Sequence, residues 1–190
     1  MKKQVINRTI YSLLLILIFI LSGCIQMSEK ETDTSAGLNG GFEVSKNGLP
    51  VNWLMYTPNT VPAGKFKIIL DKENFIEGSQ SLKFEVEECT SGGGWGSPGF
   101  TNQFDSEKGS TYILSFWVKN NGAEFRVIAG GVSPMTGDMK ILIQTSEQIN
   151  DWQQYEYSVP IAEEFDQIRL EVNILKPGTF WIDDVRIKRI

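Results

Sequence analysis

The chain has 190 residues, of which 41% are apolar and 22% charged, with a formal net charge of −5. That length is enough for one domain with a real core plus a tail. The acidic balance excludes the clustered Lys and Arg that a nucleic-acid partner, or a peripheral hold on anionic lipid, requires. There is no histidine, which excludes Ser-His-Asp and Cys-His catalysis and histidine-ligated zinc.

At the N-terminus, Lys2, Lys3 and Arg8 precede the apolar run LLLILIFIL, residues 13–21. The run is too short for an ordinary span of about 20 residues, and it fits the core of an export signal. Leu21-Ser22-Gly23-Cys24 follows. This segment resembles the lipobox of prokaryotic lipoproteins. The resemblance implies cleavage before Cys24 and attachment of lipid, palmitate included, to that residue. It places the remainder outside the cytoplasm, at the cell membrane or cell surface. An uncleaved anchor that happens to contain a cysteine is the other reading. On the first reading, residues 1–23 are a signal peptide. Residues 24–37 are a lipidated tether, polar and without periodicity. Residues 38–190 are the folded domain. Cys89 is the other cysteine. With Cys24 acylated it has no disulfide partner, and it reads as a small buried hydrophobe.

The domain then reads as successive strands rich in β-branched and aromatic residues. The expected strands are 65–71, 81–88, 112–120, 124–132, 139–145, 153–161, 167–174 and 179–190. Residues 100–104, FTNQF, read as a further short strand. Alternation is clear in several of them. Leu82, Phe84 and Val86 share one face. So do Leu114, Phe116 and Val118, and so do Ile168, Leu170, Val172 and Ile174. Turn signals separate the strands at Asn120–Gly122, Pro134–Asp138 and Lys176–Gly178. No stretch shows a helical stripe. The pattern predicts an all-β, two-sheet antiparallel β-sandwich, in which each sheet buries one face. Residues 91–100, SGGGWGSPGF, are not a phosphate cradle, because a strand follows and no Gly-Lys-Ser or Gly-Lys-Thr is present. They read as a surface loop around Trp95.

The order NGGFE (39–43), NGLPVNW (47–53), EGSQSLKFEV (77–86), KGSTYILSFWVK (108–119), DWQQYEYSVPI (151–161) and GTFWIDDVRI (178–187) resembles a known family. It is similar to the cellulose- and xylan-binding jelly-roll modules of bacterial glycanases, in the galactose-binding-like superfamily. The resemblance covers the whole exported domain and implies a jelly roll. It also implies a structural Ca2+ between the first and last strands, with Glu43 and Asp183 or Asp184 as side-chain ligands and carbonyls supplying other oxygens. The alternative for the acids is a solvated edge strand paired to Arg186 or Lys188. Among the tryptophans, Trp53, Trp152 and Trp181 occupy positions that look structural. Trp95 matches the region where such modules line the sugar cleft; otherwise it folds back over a sheet edge. Trp117 is a candidate second platform, and Arg126 and Gln103 are candidates for hydroxyl contacts. Sugar recognition needs such a set, a ring under the apolar C–H face and polar groups for the hydroxyls.

Enzyme readings fare poorly. No facing pair of carboxylates stands in a recognisable catalytic setting, and GSPG (96–99) is not a serine elbow. The expectation is therefore a non-catalytic, membrane-tethered module that binds a poly- or oligosaccharide. The alternative is a structural or protein-interaction jelly roll with no sugar ligand.

Overall fold

The computed structural model describes residues 37–190 except Pro62. The expected signal peptide, Cys24 and all of the expected tether but Gly37 lie outside the described residues. Asn47 and Gly48 take φ 54° and 78°. These left-handed positions suit a two-residue hairpin turn and join β1 (Ser45–Lys46) to β2 (Leu49–Pro50). The turn leads Trp53 into the core, where its Nε1 donates to the Asn39 carbonyl at 2.9 Å. β3 (Leu54–Tyr56) follows.

The longer strands are β4 (Lys65–Asp71), β5 (Ser81–Glu88), β6 (Gly99–Asp105), β7 (Thr111–Asn121), β8 (Glu124–Val132), β9 (Gly137–Thr145), β10 (Ile149–Pro160), β11 (Gln167–Lys176) and β12 (Gly178–Arg189). β4, β5 and β8 have the bounds that the sequence predicts. β1, β2 and β3 are too short to show a period of two, so composition does not announce them.

The strands form two five-stranded antiparallel sheets. Sheet I runs β10-β7-β12-β5-β4 and sheet II runs β3-β6-β11-β8-β9. Most spatial neighbours are distant in sequence, as in a sandwich with long crossovers. Sheet I turns Leu82, Phe84, Leu114, Phe116 and Phe180 inward, and sheet II answers with Phe100, Phe125, Leu170 and Val172, all buried. At one end, Phe100 meets Phe42 and Trp53 edge-on, with ring centres 5.8 and 5.1 Å apart. It also lies nearly parallel to Phe84 at 6.1 Å. One ring thus joins the N-terminal segment and both sheets.

Two of the residues read as structural behave differently from a core residue. Trp181 is buried, but on the outer face of sheet I, since Phe180 and Ile182 point inward. Its Nε1 donates to Asp71 Oδ2 at 2.8 Å, and the Lys83 and Lys119 ammoniums sit 5.3 and 5.5 Å from its ring centre. Trp152 is half-buried on β10. Cys89 is half-buried against the core and free, and burial pushes its thiol pKa up.

Candidate functional site

β11 decides the site. Its apolar residues Ile168, Leu170, Val172 and Ile174 point into the core. A period of two therefore sends Gln167, Arg169, Glu171 and Asn173 to the outer face of sheet II. Register places their neighbours. One row across the sheet reads Tyr56, Gly99, Asn173, Arg126, Gln144. The next reads Leu54, Thr101, Glu171, Ile128, Ile141, and a third brings Gln103 beside Arg169.

The glycine-rich loop folds over the first of these rows. A 3-10 turn spans Gly94–Gly96, with Gly96 N donating to the Gly93 carbonyl at 3.1 Å. Ser97 Oγ accepts from Gly93 N at 2.9 Å and donates to the Thr90 carbonyl. The Thr90 hydroxyl in turn donates to the Gly96 carbonyl. Pro98 is tied to β11 by its carbonyl, which accepts from Ile174 N at 2.8 Å. Gly93 takes φ 73° and lies directly on Arg126. A Cβ there would stand 1.9 Å from Arg126 Nη2 and would displace that guanidinium, and the left-handed backbone itself favours glycine. The loop is therefore a hydrogen-bonded cover over this row, which a linker is not.

Trp95 sits at its crest. Its indole leans on the Tyr56 ring, with centres 4.8 Å apart and planes at 46°, while 54% of the residue stays exposed. Tyr56 itself is buried. Burial first, and then the nearby Glu171 carboxylate, push the Tyr56 phenol pKa well up, so it keeps its proton. From this aromatic pair a polar ladder runs along β6 and β11. Arg169 Nε and Nη2 donate to Gln103 Oε1 at 3.2 and 2.9 Å. Gln103 Nε2 donates to Gln167 Oε1, and Gln167 Nε2 to Asp105 Oδ1. The ladder ends at a concavity lined by Asp105, Ser106, Pro134, Asp166 and Gln167.

Three of the four residues singled out for sugar contact, Trp95, Gln103 and Arg126, thus share one face. Trp117 does not join them. It lies on β7 opposite Asp183 and Gln154, on the outer face of sheet I. The same alternation that buries Phe116 and Val118 points it away from the core on the far side of the molecule. Tyr56, Arg169, Glu171 and Asn173 are additional members of the site. Their signal was present in part, because the polar positions of QIRLEVN form as regular a stripe as the apolar ones. Tyr56 had no such signal, since β3 is three residues long.

The acids near the chain ends separate into a pair and a singleton. Side-chain atoms of Glu43 and Asp183 both lie near Gly41. A Cβ on Gly41 would lie 3.7 Å from Glu43 Cγ and 4.0 Å from Asp183 Oδ1. Asp183 is fully buried, and its carboxylate accepts from the main-chain N–H of Ile76, Glu77 and Asp184 at 2.7, 3.2 and 2.7 Å. Burial outweighs these bonds and raises its pKa. Glu43 accepts from Ser79 N, Ser79 Oγ and Gln80 N at 2.9, 2.6 and 3.1 Å. Asp184 points elsewhere. A bulge in β12 between Asp183 and Arg186, with Asp184 at φ 48°, directs its carboxylate to Arg186 Nε at 2.6 Å. Glu43 and Asp183 supply hard oxygens, Asp184 is paired with Arg186, and among the described residues no cluster of three or more His, Cys, Asp or Glu converges on one point.

No family model and no curated protein matches the chain by sequence. Solved structures do match in shape. The CBM22-1 xylan-binding domain of Paenibacillus barcinonensis Xyn10C is 14% identical, with a TM-score of 0.56 over 80% of this chain and 92% of that one. The fold is a jelly roll like that of this xylan-binding domain. TmCBM61, solved in complex with β-1,4-galactotriose, is 19% identical, with a TM-score of 0.52 over 80% of this chain and 96% of that one. The enzymatically active domain of bacteriophage CBA120 tailspike protein 4 is 21% identical, with a TM-score of 0.59 over 80% of this chain but 21% of that one. The jelly roll is therefore shared by binding modules and by a segment of a larger enzymatically active domain, and function has to be argued from the site.

Proposed function

We propose that the protein is a non-catalytic carbohydrate-binding module that holds a poly- or oligosaccharide against the outer face of sheet II. The observation that carries this reading is the Trp95–Tyr56 pair, a half-exposed aromatic platform at the head of a hydrogen-bonded polar ladder. A sugar ring presents an apolar face and a rim of hydroxyls, and platform and ladder complement the two. The xylan-binding and galactotriose-binding modules that share the fold support the same class of ligand. Full-length protein in mild detergent, titrated with xylan, β-glucan, mannan and pectin, should show a shift or quench of tryptophan emission with at least one of them. A folded protein that stays silent across the panel would instead support a structural or protein-interaction role.

The module is tethered, on this reading, by lipid on Cys24 at the cell membrane or surface. Cells fed labelled palmitate should label the wild-type protein and leave Cys24→Ala unlabelled; equal labelling of both would sink the anchor.

A structural Ca2+ at Glu43 and Asp183 belongs to the same proposal. A fully buried carboxylate such as Asp183 is what a hard divalent cation would neutralise, with Glu43 as the second side-chain ligand. Bound at about 100 times its dissociation constant, the ion would add about 2.7 kcal/mol of stability. Thermal melts with calcium and with chelator should therefore differ by several degrees, and Asp183→Asn should abolish the difference. Coincident melts of the wild type would remove the ion from the account.

A further inference from the structure

Four arginines lie among the described residues, at positions 126, 169, 186 and 189. Arg186 is ion-paired with Asp184 and Glu77, and Arg189 with Glu107. The two on the outer face of sheet II have no carboxylate partner among the described residues. Arg126 Nη2 donates to the Asn173 side-chain oxygen at 3.0 Å. Arg169 donates to the Gln103 side-chain oxygen. Acids are not scarce, since the chain has 23 Asp and Glu against 18 Lys and Arg.

A second observation points the same way. Arg126 Nε and Asn173 Nδ2 are buried with no acceptor in hydrogen-bond range among the described residues, and Asn173 is 0% exposed. Both atoms are donors, so what completes them is an acceptor. Beside a guanidinium, the best match is a planar anion that can take two parallel N–H bonds, namely a carboxylate.

We propose that the glycan held on this face is acidic, a chain carrying uronic-acid carboxylates that Arg126 with Asn173, and Arg169, recognise. This rests on the sugar-binding reading above. Glu171 lies on the same face, buried beside the Tyr56 phenol. Its charge favours hydroxyls over carboxylates at that point, so the face suits a chain with carboxylates at intervals rather than a uniform polyanion. Arg169 is half-exposed and directly reachable. Arg126 lies under Gly93, so a carboxylate reaches it when the loop lifts.

The test titrates full-length protein in mild detergent, by calorimetry, with glucuronoxylan and with the same polymer after reduction of its carboxyl groups. Reduction should weaken binding about tenfold or more. Arg126→Gln and Arg169→Gln should each weaken binding of the acidic polymer by about that factor, since a charge-assisted hydrogen bond is lost, and weaken binding of the reduced polymer by distinctly less, since a neutral hydroxyl loses less there. Arg169→Gln keeps the test decisive even where Arg126→Gln misfolds. Equal binding of parent and reduced polymer, with Trp95 still required, overturns the acidic class and leaves sugar binding standing. A sulfated glucan, anionic but without carboxylates, bound in preference to glucuronoxylan overturns the carboxylate assignment. Failure to bind any polymer, charged or neutral, overturns both readings.

Discussion

Phe100→Ala is expected to lower the free energy of unfolding by about 3–5 kcal/mol. The ring is fully buried and touches Phe42, Trp53 and Phe84. Its removal opens a cavity where the N-terminal segment, sheet I and sheet II meet, and three rigid aromatic neighbours collapse poorly into such a space. Single domains are stable by roughly 5–15 kcal/mol, so the loss is a large share of the whole. For a domain of this size about 1 kcal/mol shifts the melting temperature by ~2–4 °C, which puts the expected drop near 10 °C or more. Chemical denaturation of wild type and variant measures it directly. A loss below about 1 kcal/mol would mean that the surrounding rings close the gap, and that Phe100 does not hold this end together.

Trp95→Ala is expected to cost binding and spare the fold. Buried aromatic anchors at interfaces are worth about 2 kcal/mol or more, which is roughly a 30-fold loss of affinity. Because the indole is 54% exposed and rests chiefly on Tyr56, the change in stability should stay within about 0.5–1 kcal/mol. Trp117→Ala supplies the contrast. That residue is on the outer face of the other sheet, so its truncation should leave affinity unchanged. Parallel titrations of the three proteins with one bound polysaccharide decide the matter. If both tryptophan variants lose affinity equally, the ligand does not sit on sheet II. If neither does, the Trp95–Tyr56 pair is packing and nothing more.

The strands were legible from the chain because strand formation is written in a local period of two. Leu82, Phe84 and Val86, or Ile168, Leu170 and Val172, declare which face is buried before any partner is known. Charge, the missing histidine and the glycine spacing of residues 91–100 likewise excluded whole classes of chemistry without reference to shape. The same local logic announced that Trp95 sits in a loop.

What local pattern does not carry is which strand lies beside which. β6 and β11 pair through Gln103 and Arg169, residues 66 positions apart. Trp117 and Trp95 both looked available, yet strand order sends them to opposite faces of the sandwich. Asp183 and Asp184 are neighbours in sequence, and one bulge parts them, burying the first and giving the second to Arg186. Asn173 is a polar position on the outward stripe of its strand, yet it is fully buried, with Gly93 of a loop 80 residues earlier lying against it. Residue type and spacing therefore determined the strands, their inner faces and the excluded chemistries. The tertiary structure alone decided which polar faces are covered, because cover is a long-range contact and leaves no period in the chain.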